Sequence, residues 1–142
     1  MVVVAKGGCE DVNFVRLTES LKNCVNVFSR IYITVSANDA NLFRELMPMA
    51  SVINFVSDGR MDSLDKLKPV TTSFDHPNKA QILTLVNCGT DPVKVIEYLG
   101  MDFTKTKLIR IPFFPEVQDA ALLKTNPGEY PRIRDLFLEA YV

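Results

Sequence analysis

Tryptophan is absent from this chain, histidine occurs once, and only three cysteines are spread over 142 residues. No two of Cys9, Cys24 and Cys88 stand at CxxC spacing. His76 has no second His or Cys at ligand spacing, so neither a zinc site nor a disulfide framework is indicated. Free thiols in a reducing, cytoplasmic setting are the expectation. No apolar run approaches a membrane span, and no secretory leader is expected ahead of the apolar run at residues 2–5. An excess of one charge is missing too. Sixteen Lys and Arg face 17 Asp and Glu, a net charge of −1 with no basic run. Nucleic acid and anionic membrane are therefore poor partners.

What the chain does have is apolar content at 47% against 23% charged residues, the balance of a globular protein rather than a disordered one. Its length suits a single domain, residues 1–142. The sequence opens within a strand-like run and closes in a helix-like one, which raises the expectation of a fragment of a longer protein.

Short β-branched, apolar runs recur at residues 2–5, 31–35, 52–56, 82–86 and 108–111, and each reads as a strand. Helical spacing fills the intervals. Glu10 and Asp11 precede Phe14, Leu17 and Leu21, where carboxylates suit a helix N-terminus. Leu42, Phe43, Leu46 and Met47 share a face ahead of Pro48, which ends the helix. Residues 60–79 read as a short helix around Leu64 and Leu67 followed by a loop, punctuated by Pro69 and Pro77. Thr90 or Asp91 caps a helix with Pro92 in its first turn, Val93, Val95, Ile96 and Leu99 as apolar positions, and Gly100 at its end. Pro115 opens another, carrying Val117, Ala120, Ala121 and Leu122. After the break at 126–128, residues 131–141 form a last amphipathic helix with Ile133, Leu136, Phe137 and Ala140 on one face. Strands alternating with helices predict an α/β fold. The expected form is a three-layer, Rossmann-like domain with a mainly parallel sheet of about five strands and helices on both faces.

Ligands of such sheets bind beyond the carboxyl ends of the strands. That edge is built from loops 6–11, 36–39, 57–60, 87–91 and 112–115. Lys6-Gly7-Gly8 could offer backbone N–H groups to a phosphate, but Glu10 and Asp11 would repel it, and a plain turn is the better reading. No Walker A spacing occurs anywhere. Asn87 could hydrogen-bond a ligand amide or base, or only its own loop. Cys9 and Cys88 both follow strands. A catalytic cysteine needs a base beside it, and nothing in the spacing brings His76 there. Asp58, Asp62 and Asp65 could hold Mg²⁺, but a solvated, turn-forming acidic stretch is the better reading. Glu10, Asp11 and Asp58 loosely mimic the acidic residues of receiver domains, without the lysine expected after Val86.

The tail Leu108-Ile109-Arg110-Ile111-Pro112-Phe113-Phe114-Pro115-Glu116-Val117-Gln118-Asp119-Ala120-Ala121 resembles the late segment of ParA/MinD-type, deviant Walker A ATPases. Residues 126–140 are similar to the ending of that family. Leu85-Val86-Asn87 resembles its strand ending in Leu-Asn. Residues 30–36 resemble its Val-Val-Thr strand, and Val2-Val3-Val4-Ala5-Lys6-Gly7-Gly8 the strand that normally ends in the second Walker aspartate. The resemblance implies the later half of such a domain, closest to the CpaE/TadZ pilus-assembly branch. The half that would carry the P-loop is missing, and the expected aspartate falls on Ala5. By this resemblance Asn87, Pro112, Phe113 and Phe114 match positions that contact adenine, so ATP or ADP is a possible ligand while no cofactor is firmly implied. Hydrolysis by this chain alone is not expected, because its phosphate-positioning parts are absent. The leading expectation is a non-catalytic, pseudo-ATPase module that binds a protein partner or a second copy of itself. The alternative is a small nucleotide- or metabolite-binding enzyme with its site at the carboxyl edge.

Overall fold

Three of the apolar runs become strands in the computed structural model, which describes residues 13–73, 79–116, 119, 122, 124, 126 and 129–141. They are β1 (Val52–Ser57), β2 (Ala80–Val86) and β3 (Thr106–Ile111). The order is β1-β2-β3 with both pairs parallel, and Phe55, Leu83 and Leu108 share one rung. Strict alternation along β1 buries Ile53, Phe55 and Ser57 and exposes Val52, Asn54 and Val56. Central β2 buries Leu83, Thr84 and Leu85 in succession, as expected of a strand covered on both faces.

The five-strand expectation is corrected. Among the described residues the sheet has three strands, and residues 2–5 lie outside them. Residues 31–35 form no strand; Tyr32 makes an isolated bridge, and Tyr32 and Ile33 are exposed. High β-propensity needs a pairing strand along its length, and among the described residues this stretch has only the single bridge at Tyr32, with Ile31 and Val35 half-buried.

Among the described residues five helices have both ends defined: α1 (Phe14–Val25), α2 (Ala40–Leu46), α3 (Met61–Thr72), α4 (Pro92–Leu99) and α5 (Pro131–Tyr141). The Asn13 carboxamide accepts from the Arg16 N–H at 3.1 Å and caps α1. Helix α2 runs into a 3₁₀ turn, Met47–Met49, where Pro48 stops it as expected. In α4, Asp91 accepts from the Val93 N–H at 3.0 Å, Pro92 occupies the first turn, and Gly100 closes the end at φ +66°. Pro115 and Glu116 are helical, whereas Val117, Ala120 and Ala121 lie outside the described residues.

Helix α3 is longer than expected and runs through Pro69. Proline removes one backbone donor from a helix interior. The turn that follows is rich in hydroxyls: Thr72 Oγ1 donates to the Lys68 carbonyl at 2.8 Å and Ser73 Oγ to that of Val70 at 3.0 Å. Thr71 Oγ1 reaches across to the Leu99 carbonyl at 2.7 Å, filling an acceptor that the end of α4 leaves open. Further along this seam, the Tyr98 hydroxyl donates to the Asp65 carboxylate, and the Lys68 ammonium lies 4.2 Å from the centre of the Tyr98 ring.

One continuous core joins Ile53, Phe55, Leu83 and Leu85 of the sheet to Leu64, Leu67 and Val70 of α3 and to Val95, Ile96 and Leu99 of α4. Two successive crossovers stepping the same way leave both helices on one sheet face. Met47 and half-buried Phe43 extend this core toward α2. At the amino edge of the sheet, the Lys79 ammonium donates to the carbonyls of Pro48 at 3.0 Å and Ala50 at 2.6 Å, holding the start of β2 against the turn before β1. No described helix is long and apolar enough to cross a membrane.

Candidate functional site

Parallel strands in one sheet send their following loops to the same edge. Here that edge brings loop 57–60 against loop 87–89. Ser57 Oγ accepts from the Gly59 N–H at 3.0 Å and lies 3.0 Å from Ser63 Oγ, which sets a tight turn into α3. Gly59 is buried at φ +75°, and a Cβ added there would stand 2.1 Å from Cys88 Sγ. Asn87 also has positive φ, at +50°, a region Asn tolerates better than most residues. Its N–H donates to the Ile111 carbonyl at 2.8 Å and carries the β2–β3 ladder into the loop.

Beside this contact opens a cleft of about 520 Å³. β2 contributes Leu85 and its loop Asn87, Cys88 and Gly89; β3 contributes Arg110 and Ile111, followed by Pro112 and Phe113. Three of the four residues nominated by resemblance, Asn87, Pro112 and Phe113, therefore share one cleft. Phe114 lies elsewhere: it is buried, and the Arg132 guanidinium of α5 sits 5.3 Å from the centre of its ring. Arg110 was legible in sequence only as a strand residue. Its place in the cleft follows from lying one residue before the last position of β3.

Acidic residues near this edge are engaged. The Asp58 carboxylate accepts from the Arg60 N–H at 3.1 Å and from Arg60 Nε at 2.7 Å. The backbone N–H is the larger cause holding the Asp58 carboxyl below its usual range, with the guanidinium adding to it. Its pair with Arg60 is exposed and adds little at high salt. A lowered carboxyl contributes stability that is complete above the ordinary aspartate value and is lost as pH falls through the lowered one. Asp58→Asn is thus expected to lower the urea midpoint at neutral pH and to flatten its decline in the acid range. An acid limb identical to that of the parent protein would contradict this role.

Asp65 is taken by Tyr98, and Asp62 lies only 3.9 Å from Arg60. Among the described residues no group of three His, Cys, Asp or Glu could hold a metal ion. Cys88 Sγ is 3.6 Å from the Thr90 carbonyl. Cys9, His76, Pro77 and the Lys6-Gly7-Gly8 loop with Glu10 and Asp11 lie outside the described residues.

The class that this geometry defines is an α/β unit with a parallel sheet and an open cleft at the carboxyl ends of its strands. Comparison with protein-family profiles, with curated proteins and with solved structures returned no match for this chain.

Proposed function

We propose that this chain is a non-catalytic, ATPase-like α/β module that acts by protein–protein interaction in the positioning or assembly of a larger complex. The observation that carries the reading is the apolar stretch at residues 25–33. Val25, Val27, Tyr32 and Ile33 are exposed, Val27 at 73% and Tyr32 at 59%, with Phe28 beside them. Single exposed apolar residues are ordinary, but a concentration of them marks an interaction surface. Val52 and Val56 on the open face of β1 add to the exposed apolar area. The non-catalytic part of the reading is supported by the sequence, which lacks the phosphate-binding glycines, the P-loop lysine and the aspartate. The finer fold reading, a Rossmann-like later half of a ParA/MinD-type domain, belongs to the same proposal and is supported by the parallel strand order.

In light scattering after size exclusion, the purified chain is expected to self-associate or to retain a protein partner at fixed stoichiometry. Val27→Asp combined with Tyr32→Asp should abolish this and shift folding stability by only about 0.5 kcal/mol, as exposed substitutions do. A chain that stays monomeric at all concentrations and holds no partner overturns the reading.

The cleft favours a second reading, a small nucleotide- or metabolite-binding enzyme. Asn87 and Phe113 would then hold a base, and calorimetric titration with ATP and ADP, each with and without Mg²⁺, tests it.

A further inference from the structure

We infer that the carboxyl-edge cleft takes a ligand made of a flat aromatic ring and a single oxyanion group, with Arg110 as the residue that binds the anion. This rests on the second reading above and narrows it. Arg110 supplies the only charged side chain among the described residues that line the cleft. It makes no salt bridge among the described residues, while the neighbouring acids Asp58 and Asp91 are held by Arg60 and by the Val93 N–H. Glu116, further along the chain, does not line the cleft. A guanidinium that makes no ion pair among the described residues, in a wall whose described lining holds no carboxylate, offers a planar, two-pronged match to a carboxylate or phosphate.

The remaining wall suits a ring. Phe113 is 51% exposed at the cleft and stands next to Pro112, with Leu85 and Ile111 adding apolar surface. An exposed aromatic face next to a cation stacks well on a flat heterocycle. Asn87 adds a carboxamide that can both donate and accept at the ring edge. One guanidinium matches one oxyanion group. A triphosphate would need further donors, and the described lining residues provide no second cation.

A mononucleotide and an aromatic carboxylate share this chemistry, and titration of the intact chain with AMP and with 4-aminobenzoate separates them. Adenosine and inorganic phosphate serve as half-ligands. At least one of the two full probes is expected to saturate the protein, and each half-ligand to bind about tenfold more weakly or worse. Arg110→Gln should weaken the full probe by about tenfold or more, the scale of a lost charged hydrogen bond, and leave adenosine unaffected. Phe113→Ala should weaken both the full probe and adenosine. If adenosine, ATP or ADP binds with an affinity that Arg110→Gln does not change and AMP gains nothing over adenosine, the anion assignment is wrong while the second reading stands. If no probe binds the folded chain, both fall.

Discussion

Replacing Gly59 by alanine is expected to destabilise the protein by about 3 kcal/mol, from backbone strain and overpacking together. Two effects act on the same atom. At φ +75° a Cβ meets its own backbone, which costs about 1–2 kcal/mol for an L-residue. That Cβ would also stand 2.1 Å from Cys88 Sγ, closer than such atoms approach, and 3.2 Å from Cys88 Cβ, a tight contact. Turning the thiol away relieves the first contact but not the second, so loop 87–89 must move. The two effects separate in a double-mutant cycle read by urea unfolding. Cys88→Ala alone should cost little, because Cys88 is only half-buried. In the Gly59→Ala background it should restore the part due to the Sγ contact, leaving about 1–2 kcal/mol of backbone strain and the tight approach to the Cβ of residue 88. Strictly additive energies would show that the two loops do not touch in solution. Because Cys88 also lines the cleft, Gly59→Ala should weaken any cleft ligand in the protein that remains folded.

The second large effect is expected at Thr71. Its hydroxyl is buried and donates to the Leu99 carbonyl at 2.7 Å, at the point where α4 ends. Valine keeps the shape and removes the donor. The Leu99 carbonyl is then enclosed without that partner, a loss of about 2 kcal/mol. The Lys68 carbonyl, 3.0 Å from the same hydroxyl, suffers less because Thr72 Oγ1 also donates to it. Thr71→Ser retains the hydroxyl and should cost clearly less than Thr71→Val in the same urea titration. A loss from Thr71→Ser larger than that from Thr71→Val would assign the effect to the methyl group and its packing instead.

Most of the described frame is legible in local signals. The β-branched, apolar runs at residues 52–56, 82–86 and 108–111 read as strands, and the structure extends them to Val52–Ser57, Ala80–Val86 and Thr106–Ile111. Asp91, Pro92 and Gly100 mark both ends of α4 because each has a local backbone reason to stand there. What failed locally was decided by the surroundings. Residues 31–35 have strand composition but no strand ladder. Pro69 reads as a helix end, yet packing of Leu67 and Val70 into the core carries α3 past it. The position of the cleft followed from the parallel order, whereas Asn87 stood out through its place in the loop after Val86 and through the family resemblance. The pressing of Gly59 on Cys88, the burial of Phe114 under Arg132 and the turning of Arg110 into the cleft are contacts between distant segments, which no spacing within one segment encodes.

The alternation along β1 protects its pairing with β2 against only some errors. A slip of one residue would turn Phe55 outward and is heavily penalised, but a slip of two keeps every apolar residue on its own side. Thr84 Oγ1 donates to the Asn54 carboxamide oxygen at 2.9 Å, joining residues two rungs apart diagonally on the face away from Phe55 and Leu83. Moving β1 by two places would bring Val52 or Val56 to the position of Asn54 and leave the buried Thr84 hydroxyl without this acceptor. A single polar pair thus acts as a vernier mark, choosing among alignments that hydrophobic burial alone would treat as equivalent.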